Sequence, residues 1–345
     1  MTPRIVTFGE IMLRLKSPGF ERLLQSPQLE ATFGGGEANV AGSLAQFGAD
    51  VAYVTALPSN PIGETCLRHL RGLGIDTSHC VRAGERIGIY YLETGSNQRP
   101  SKVIYDRAHS SIISTPPEAF NWPRILDGAT WFHVTGITPA LSASAAAATL
   151  AAVTAAQQAG ITVSCDYNYR KNLWKYGQSA PEVMAEIVRR VDVGIANEED
   201  CQRALGISLG DETSVERGLI DVQRYRALSQ KVMAVFPNLR SQAITLRQSQ
   251  TADRNGWSAC MHTRQEFLVS PLYQVEDIVD RVGTGDAFAA GLIYGLSHGM
   301  EDQPALDFAA AASCLKHSIP GDLNLGTLEE VLALVQGNST GRIQR

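Results

Sequence analysis

Two glycine-bearing runs hold the residue types in this chain that could do chemistry. The later one, Gly283-Thr284-Gly285-Asp286, opens a stretch through Phe288, Leu292, Ile293 and Tyr294 that stays uncharged as far as Gly299. Glycines just before a helix leave its first backbone N–H groups free, and with the helix dipole those groups form an anion site. Asp286 falls in the first turn, where the dipole favours an ionised carboxylate. A carboxylate beside an anion site suits taking a proton from a hydroxyl that attacks a phosphoryl group. Alone, the run is equally an ordinary turn with an acid at a helix start. The earlier run, Phe33-Gly34-Gly35-Gly36-Glu37-Ala38-Asn39, also leads into an apolar-periodic helix, and it tips the reading toward chemistry.

The elements that must position these runs follow from periodicity. The helix after Gly283 is apolar on every side and is therefore expected to be buried. Gly291 and Gly295 lie four apart on one face, where a second backbone can approach closely. Ile5–Glu10, Val51–Leu57, Trp131–Val134, Ile161–Asp166, Val191–Ala196 and Ala243–Leu246 read as strands, most with a helical pattern between them. Strands alternating with helices predict an α/β fold built on a doubly wound, mostly parallel sheet. Leu13–Thr32 reads as irregular, with Pro18 and Pro27. Ile87–Glu93 and Lys102–Asp106 break the alternation as a hairpin. These pieces, about 12–33 and 86–108, are expected to form a small β-sheet lid on a single domain spanning 1–345. Arg247–Gly256 reads as a polar loop, Trp257–His262 with Glu266–Ser270 as a late hairpin, and Ser208–Arg240 as a solvated helical excursion.

Composition narrows the function classes. With 345 residues, 44% apolar, 19% charged and a net charge of −5, the chain reads as an ordinary soluble globular protein. It lacks the broad basic surface that a nucleic-acid partner would require. Cys66, Cys80, Cys165, Cys201, Cys260 and Cys314 are scattered without a C-x-x-C pair, which fits reduced thiols in a cytoplasm rather than a zinc site. Between Trp131 and Gln157 only His133 can carry charge, yet Pro139 interrupts the run and much of the rest is Ala, Ser and Thr. A soluble helix near Ser142–Ala159 is expected there, not a membrane span.

Taken together, the two glycine runs resemble the ribokinase-like (PfkB) family of sugar kinases, in the right order, with a likeness that covers essentially the whole chain. The resemblance implies ATP and Mg2+ as cofactors, with a monovalent cation as a further candidate. It implies that Gly35 and Asn39 touch sugar hydroxyls, that Gly283, Thr284 and Gly285 donate N–H groups to the transferred phosphoryl, and that Asp286 is the base. Within the family the likeness is greatest to the branch acting on 2-keto-3-deoxygluconate, through Gly88-Ile89-Tyr90, Ile104-Tyr105-Asp106-Arg107, His133 to Pro139 and Asp166 to Arg170. By that likeness Tyr90, Tyr105, Arg107 and Arg170 line a sugar-acid site, and two guanidinium groups make sense against a carboxylate. Tyr90 and Tyr105 are equally readable as cross-strand partners. Arg170 gains support from following Asp166 at the carboxyl end of a strand.

The chain also departs from the family pattern. Asn197 and Asp200 stand where Asn-x-x-Glu is usual. They are expected near ATP and magnesium, with Asn197 as a helix N-cap as the plain alternative. Pro58 and Asn60 replace a usual Gly-x-Asp, and Arg247-Gln248-Ser249-Gln250 replaces glycines on the nucleotide side. Ser313–Asn324 is read either as a far wall of the nucleotide pocket or as a plain connection. His133 reads as structural, and His109 carries no role. The expected activity is phosphorylation of a sugar acid at its 6-hydroxyl. A neutral-sugar kinase and a catalytically silent sugar-binding protein are the rivals. Exposed edges of the lid sheet predict a homodimer through the lid.

Overall fold

The computed structural model describes residues 2–210, 222–249 and 251–337. In its main sheet the strand Arg4–Phe8 lies between Asp50–Val54, the last strand of the order, and Trp131–Thr135, parallel to both. From Trp131–Thr135 the sheet continues in parallel through Thr162–Asp166, Val193–Ala196 and Ser241–Ser249. Asn255–Thr263 then turns antiparallel, with Phe267–Val269 and Tyr273–Val275 along its outer side. Both faces are covered, which is why the parallel strands read as nearly unbroken apolar runs. Because the first strand has later strands on both sides, the order reverses there. A crevice therefore opens beyond its carboxyl end, where α/β folds bind ligands.

Thr284–Ser297 is buried on all sides, as its pattern required, and packs on Asp302–Lys316. A Cβ on Gly291 would lie 2.7 Å from the Ala309 Cα, and one on Gly295 would lie 2.8 Å from the Ala305 Cβ. The two glycines thus allow the close backbone contact predicted for that face. Fully buried Phe288, Leu292 and Ile293 contribute on the order of 1.5–3 kcal/mol each. The Ala-rich segment forms the helix Ala143–Gln158, capped by Ser142, whose oxygen accepts the Ala145 N–H at 3.1 Å. Among the described residues no helix is long and apolar enough to cross a membrane.

A separate sheet of four strands stands apart from this layer. Met12–Lys16 pairs antiparallel with Glu30–Gly34 and parallel with Gly88–Glu93, which in turn pairs antiparallel with Lys102–Asp106. Strands therefore occupy both ends of the segment read as irregular, and Pro18 and Pro27 fall between them, where no ladder N–H is needed. The polar stretch after Leu246 also differs from the reading. Its strands run on in register to Ser249 and Asn255, so the loop is shorter than Arg247–Gly256. The residues that extend these strands, Arg247 to Ser249 and Asn255 to Gly256, are polar or glycine and show no apolar alternation, which hid them from the pattern. Of the excursion Ser208–Arg240, Val222–Val235 is helical and 211–221 lie outside the described residues.

Candidate active site

The two glycine runs meet at the crevice. Asp286 sits in the first turn of Thr284–Ser297, and the Asn39 Nδ2 donates to its Oδ2 at 2.7 Å. Gly283 caps that helix with φ +81°, and a Cβ there would stand 1.9 Å from the Asp322 carbonyl oxygen. Only glycine meets both demands. Ala287 N–H to the Gly283 carbonyl, at 2.9 Å, is the first bond of the helix. The N–H groups of Thr284, Gly285 and Asp286 therefore precede the internal ladder and are its orphan donors. A Cβ on Gly285 would meet nothing within 4 Å, so the turn opens onto free space. Asp286 keeps part of its surface accessible. Burial of its surroundings pushes its carboxyl up to about 6, against the Asn39 hydrogen bond, which holds it down. That is a suitable range for a base working near neutral pH.

Gly35 and Asn39 have local partners. The Asn39 Oδ1 accepts the Gly35 N–H at 3.2 Å, and a Cβ on Gly35 would lie 2.0 Å from the Glu10 carbonyl oxygen. Asn39 thus bridges the first glycine run to Asp286. Between them, Glu37 went unnoticed in the sequence. Its Oε1 accepts from the Thr135 N–H at 3.0 Å, the Thr135 hydroxyl at 2.9 Å and the Thr138 hydroxyl at 3.0 Å. Burial raises its carboxyl to about 7 despite those bonds. A carboxylate inside an otherwise small and apolar helix start was the available signal.

The small sheet brings Tyr90 and Tyr105 opposite one another, with ring centroids 6.0 Å apart. Tyr105 is half exposed, whereas the buried Tyr90 hydroxyl donates to the Asp322 carboxylate at 2.5 Å. Arg107 is buried. Its Nε donates to the Glu10 Oε2 at 2.9 Å, its Nη2 donates to the same oxygen, and its guanidinium lies 5.0 Å from the Tyr105 ring centroid. Glu10 and Asp322 are site residues that sequence reasoning missed, since nothing local marks the partner of a distant charge. Behind them Arg14 is buried between Asp280 and Asp322. Lys316 is also buried, with its Nζ donating to the Ile319 carbonyl at 2.9 Å. Burial lowers it to about 8 against the pull of Asp280, Asp322 and Asp286.

On the other flank, Arg170 is exposed and donates to the Tyr169 carbonyl at 2.9 Å. Its charge acts on three carboxyls, Asp166, Asp200 and Asp286, and holds each of them down. Burial first, then Asp200 and Asp286, raise Asp166 well above the usual range. Asn197 and Asp200 form a capping box. The Asn197 Oδ1 accepts the Asp200 N–H at 2.8 Å, and the Asp200 Oδ2 accepts the Asn197 N–H at 3.0 Å. The Asp200 Oδ1 accepts the Tyr169 N–H at 2.8 Å, tying the cap to the Arg170 loop. Asp200 is therefore a carboxylate whose oxygens already hold backbone donors. Among the described residues no three His, Cys, Asp or Glu side chains are grouped to hold a metal. His133 is buried, 2.9 Å from the Ser164 hydroxyl, and burial lowers it to about 3, so it is neutral. His109 is exposed in a loop.

A turn of orphan N–H donors against a basic carboxylate is a phosphoryl-transfer geometry, and the profile of the pfkB family carbohydrate kinases matches residues 2–324. The chain belongs to that family. A 2-dehydro-3-deoxygalactonokinase of Haloferax volcanii is 31% identical over 341 residues, covering 99% of each chain. A 2-dehydro-3-deoxygluconokinase of Bacillus subtilis is 28% identical, covering 97% of this chain and 96% of its own. The crystal structure of 2-dehydro-3-deoxygluconokinase from Thermotoga maritima is 46% identical, with a TM-score of 0.91, covering 97% of this chain and all of that one. The ribokinase-like fold is thus established for this carbohydrate kinase, with the small sheet as its separate layer.

Proposed function

We propose that this kinase transfers the γ-phosphoryl group of ATP to the 6-hydroxyl of 2-keto-3-deoxygluconate. The observation that carries the reading is the 2.7 Å contact of Asn39 with Asp286, which joins the sugar-side and phosphate-side glycine runs at one base. The sugar hydroxyl oxygen attacks the γ-phosphorus while its proton passes to Asp286. The bond to the β–γ bridging oxygen breaks and ADP leaves. Gly283, Thr284 and Gly285 N–H groups, joined by that of Asp286, stabilise the charge on the phosphoryl oxygens. The names of the relatives support a 2-keto-3-deoxy sugar acid as acceptor. So does Arg170, exposed beside the base and suited to grip a carboxylate by two parallel hydrogen bonds. Arg107 serves the same end through Glu10 and Tyr105, which it holds in place. Gly35, Tyr90 and Tyr105 complete the wall around the sugar, and the small sheet excludes water from it.

Hard carboxylate oxygens beside the phosphoryl turn suit magnesium, which when bound neutralises charge on the nucleotide phosphates. Asp166 and Asp200, with Asn197 fixing the second, are the residues that would hold it through water.

The test is ADP release with ATP and 2-keto-3-deoxygluconate, its galacto epimer, fructose, ribose or no sugar. The highest kcat/KM is expected with a 2-keto-3-deoxy acid. A preference for fructose or ribose overturns the assignment in favour of a neutral-sugar kinase, and silence with every sugar points to a binding protein.

We also place the protein in the cytoplasm, since its cysteines form no disulfide, and as a homodimer through the small sheet. Lys102–Asp106 is an edge strand with Val103 41%, Ile104 55% and Tyr105 48% exposed, an apolar edge that a second copy would cover. Ile104→Glu should then give a monomer in light scattering; a wild type that is already monomeric at micromolar concentration refutes the dimer.

A further inference from the structure

Arg14 is an unexpected residue in the middle of a small-sheet strand. It shares a face with Met12 and is only 1% exposed, where an apolar side chain would satisfy the sheet without desolvating a charge. Its Nη2 donates to the Asp280 Oδ2 at 2.5 Å, and its Nη1 donates to the Asp322 Oδ1. Each partner belongs to one of the two loops that shape the glycine turn. The Asp280 Oδ1 accepts the Val282 N–H at 3.0 Å and its Oδ2 accepts the Gly321 N–H at 3.1 Å, so it staples the approach to Gly283 onto the loop after Lys316. Asp322 presses its carbonyl against Gly283 and its carboxylate against Gly34, where it also accepts from Tyr90.

We propose that Arg14 is a positioning residue for phosphoryl transfer, clamping the small sheet to both loops so that the glycine turn takes its phosphate-binding shape only when the sheet is docked. Closure over the sugar and assembly of the anion site are then one event. Arg14 with Lys316 balances the charges of Asp280 and Asp322 close to the base. The other groups acting on Asp286 are Asn39, Arg170 and Asp166. Lysine cannot replace Arg14, because one ammonium does not fork between two carboxylates on separate loops.

This inference rests on reading the glycine turn and Asp286 as the phosphoryl site. Its test compares the full-length wild type with Arg14→Met, Arg14→Lys and Asp322→Asn, each checked for folding by circular dichroism. Three quantities are followed: kcat and KM, ADP released per sugar phosphate formed, and the acid limb of the kcat/KM profile. In Arg14→Met we expect kcat to fall by at least about tenfold, ADP release to exceed sugar phosphate because water reaches a loosened site, and the acid limb to move up as a negative charge near Asp286 goes unbalanced. Asp322→Asn should move the limb down, and Arg14→Met with Asp322→Asn should bring it back toward the wild type. Arg14→Lys should recover part of kcat while remaining uncoupled. A purely structural role would lower the denaturation midpoint but leave the coupling ratio at one and the limb in place, and that result overturns the proposal. If Arg14→Met does not fold, the same result in Arg14→Lys and Asp322→Asn overturns it. A wild type inactive with every sugar sinks the phosphoryl-site reading instead, so the two failures are distinguishable.

Discussion

Replacing Asp286 by Asn tests the base with little disturbance of shape. The amide oxygen can still accept from the Asn39 Nδ2, which now sits 2.7 Å from Oδ2, and the amide nitrogen can face the sugar hydroxyl. What is lost is the proton acceptor. General-base catalysis contributes roughly 10²–10⁴-fold, so kcat should fall by that factor while calorimetry finds sugar and ATP binding largely intact. The pH profile sharpens the test. The wild-type carboxyl stands at about 6, so kcat/KM should fall tenfold per pH unit below that value, and the residual activity of Asp286→Asn should lack this limb. Stability should move in the opposite sense. A carboxyl raised from 3.8 to about 6 by folding favours the native state fully only below the unfolded value, and that contribution is lost as pH rises through the folded one. Two pH units correspond to about 3 kcal/mol, an upper bound for a partly accessible group. Asp286→Asn escapes this loss, so its stability advantage over the wild type should grow from pH 4 to pH 6 and then level off. A variant that keeps most of its kcat, or keeps a limb near pH 6, refutes the assignment of the base.

Three further outcomes follow from the same geometry. Arg170→Met should lower kcat/KM for the sugar acid by roughly 10–150-fold, the worth of a charge-assisted hydrogen bond, and affect fructose much less; equal losses on both sugars would argue against a carboxylate grip. Arg107→Met leaves the buried Glu10 without its cation, with only the Ser110 hydroxyl donating to its Oε1 at 2.7 Å, so it should cost about 3–5 kcal/mol in urea denaturation and lower activity toward every sugar. Glu37→Gln keeps the oxygen that accepts from Thr135 and Thr138 but cannot ionise. Because the wild-type carboxyl is raised to about 7, the wild type should lose stability relative to Glu37→Gln as pH rises from 5 to 7 and then run level with it, and parallel melting curves across that range would show that the folded-state carboxyl is already ionised by pH 5 and is not raised.

The sequence by itself determined what depends on local backbone and periodicity. The glycine turns were legible because a left-handed Gly283 and a closely approached Gly35 each demand the one residue without a Cβ. The buried helix after Asp286 was legible because it carries no polar face, and the parallel sheet because its strands are apolar on both sides. Tertiary structure decided the partners of the charges. Nothing near Arg107 in the chain points to Glu10, 97 residues earlier. Nothing near Arg14 points to Asp322, 308 residues later. Tyr90 was expected to line the site by resemblance, but its donation to that same Asp322 needed the fold. Asn197 and Asp200 formed the local capping box that their spacing allowed, whereas the joining of that box to the Arg170 loop needed the fold. A buried charge is stabilised only by whatever the folded chain brings within hydrogen-bond reach, and which residue that is depends on how distant loops pack, not on spacing along the sequence.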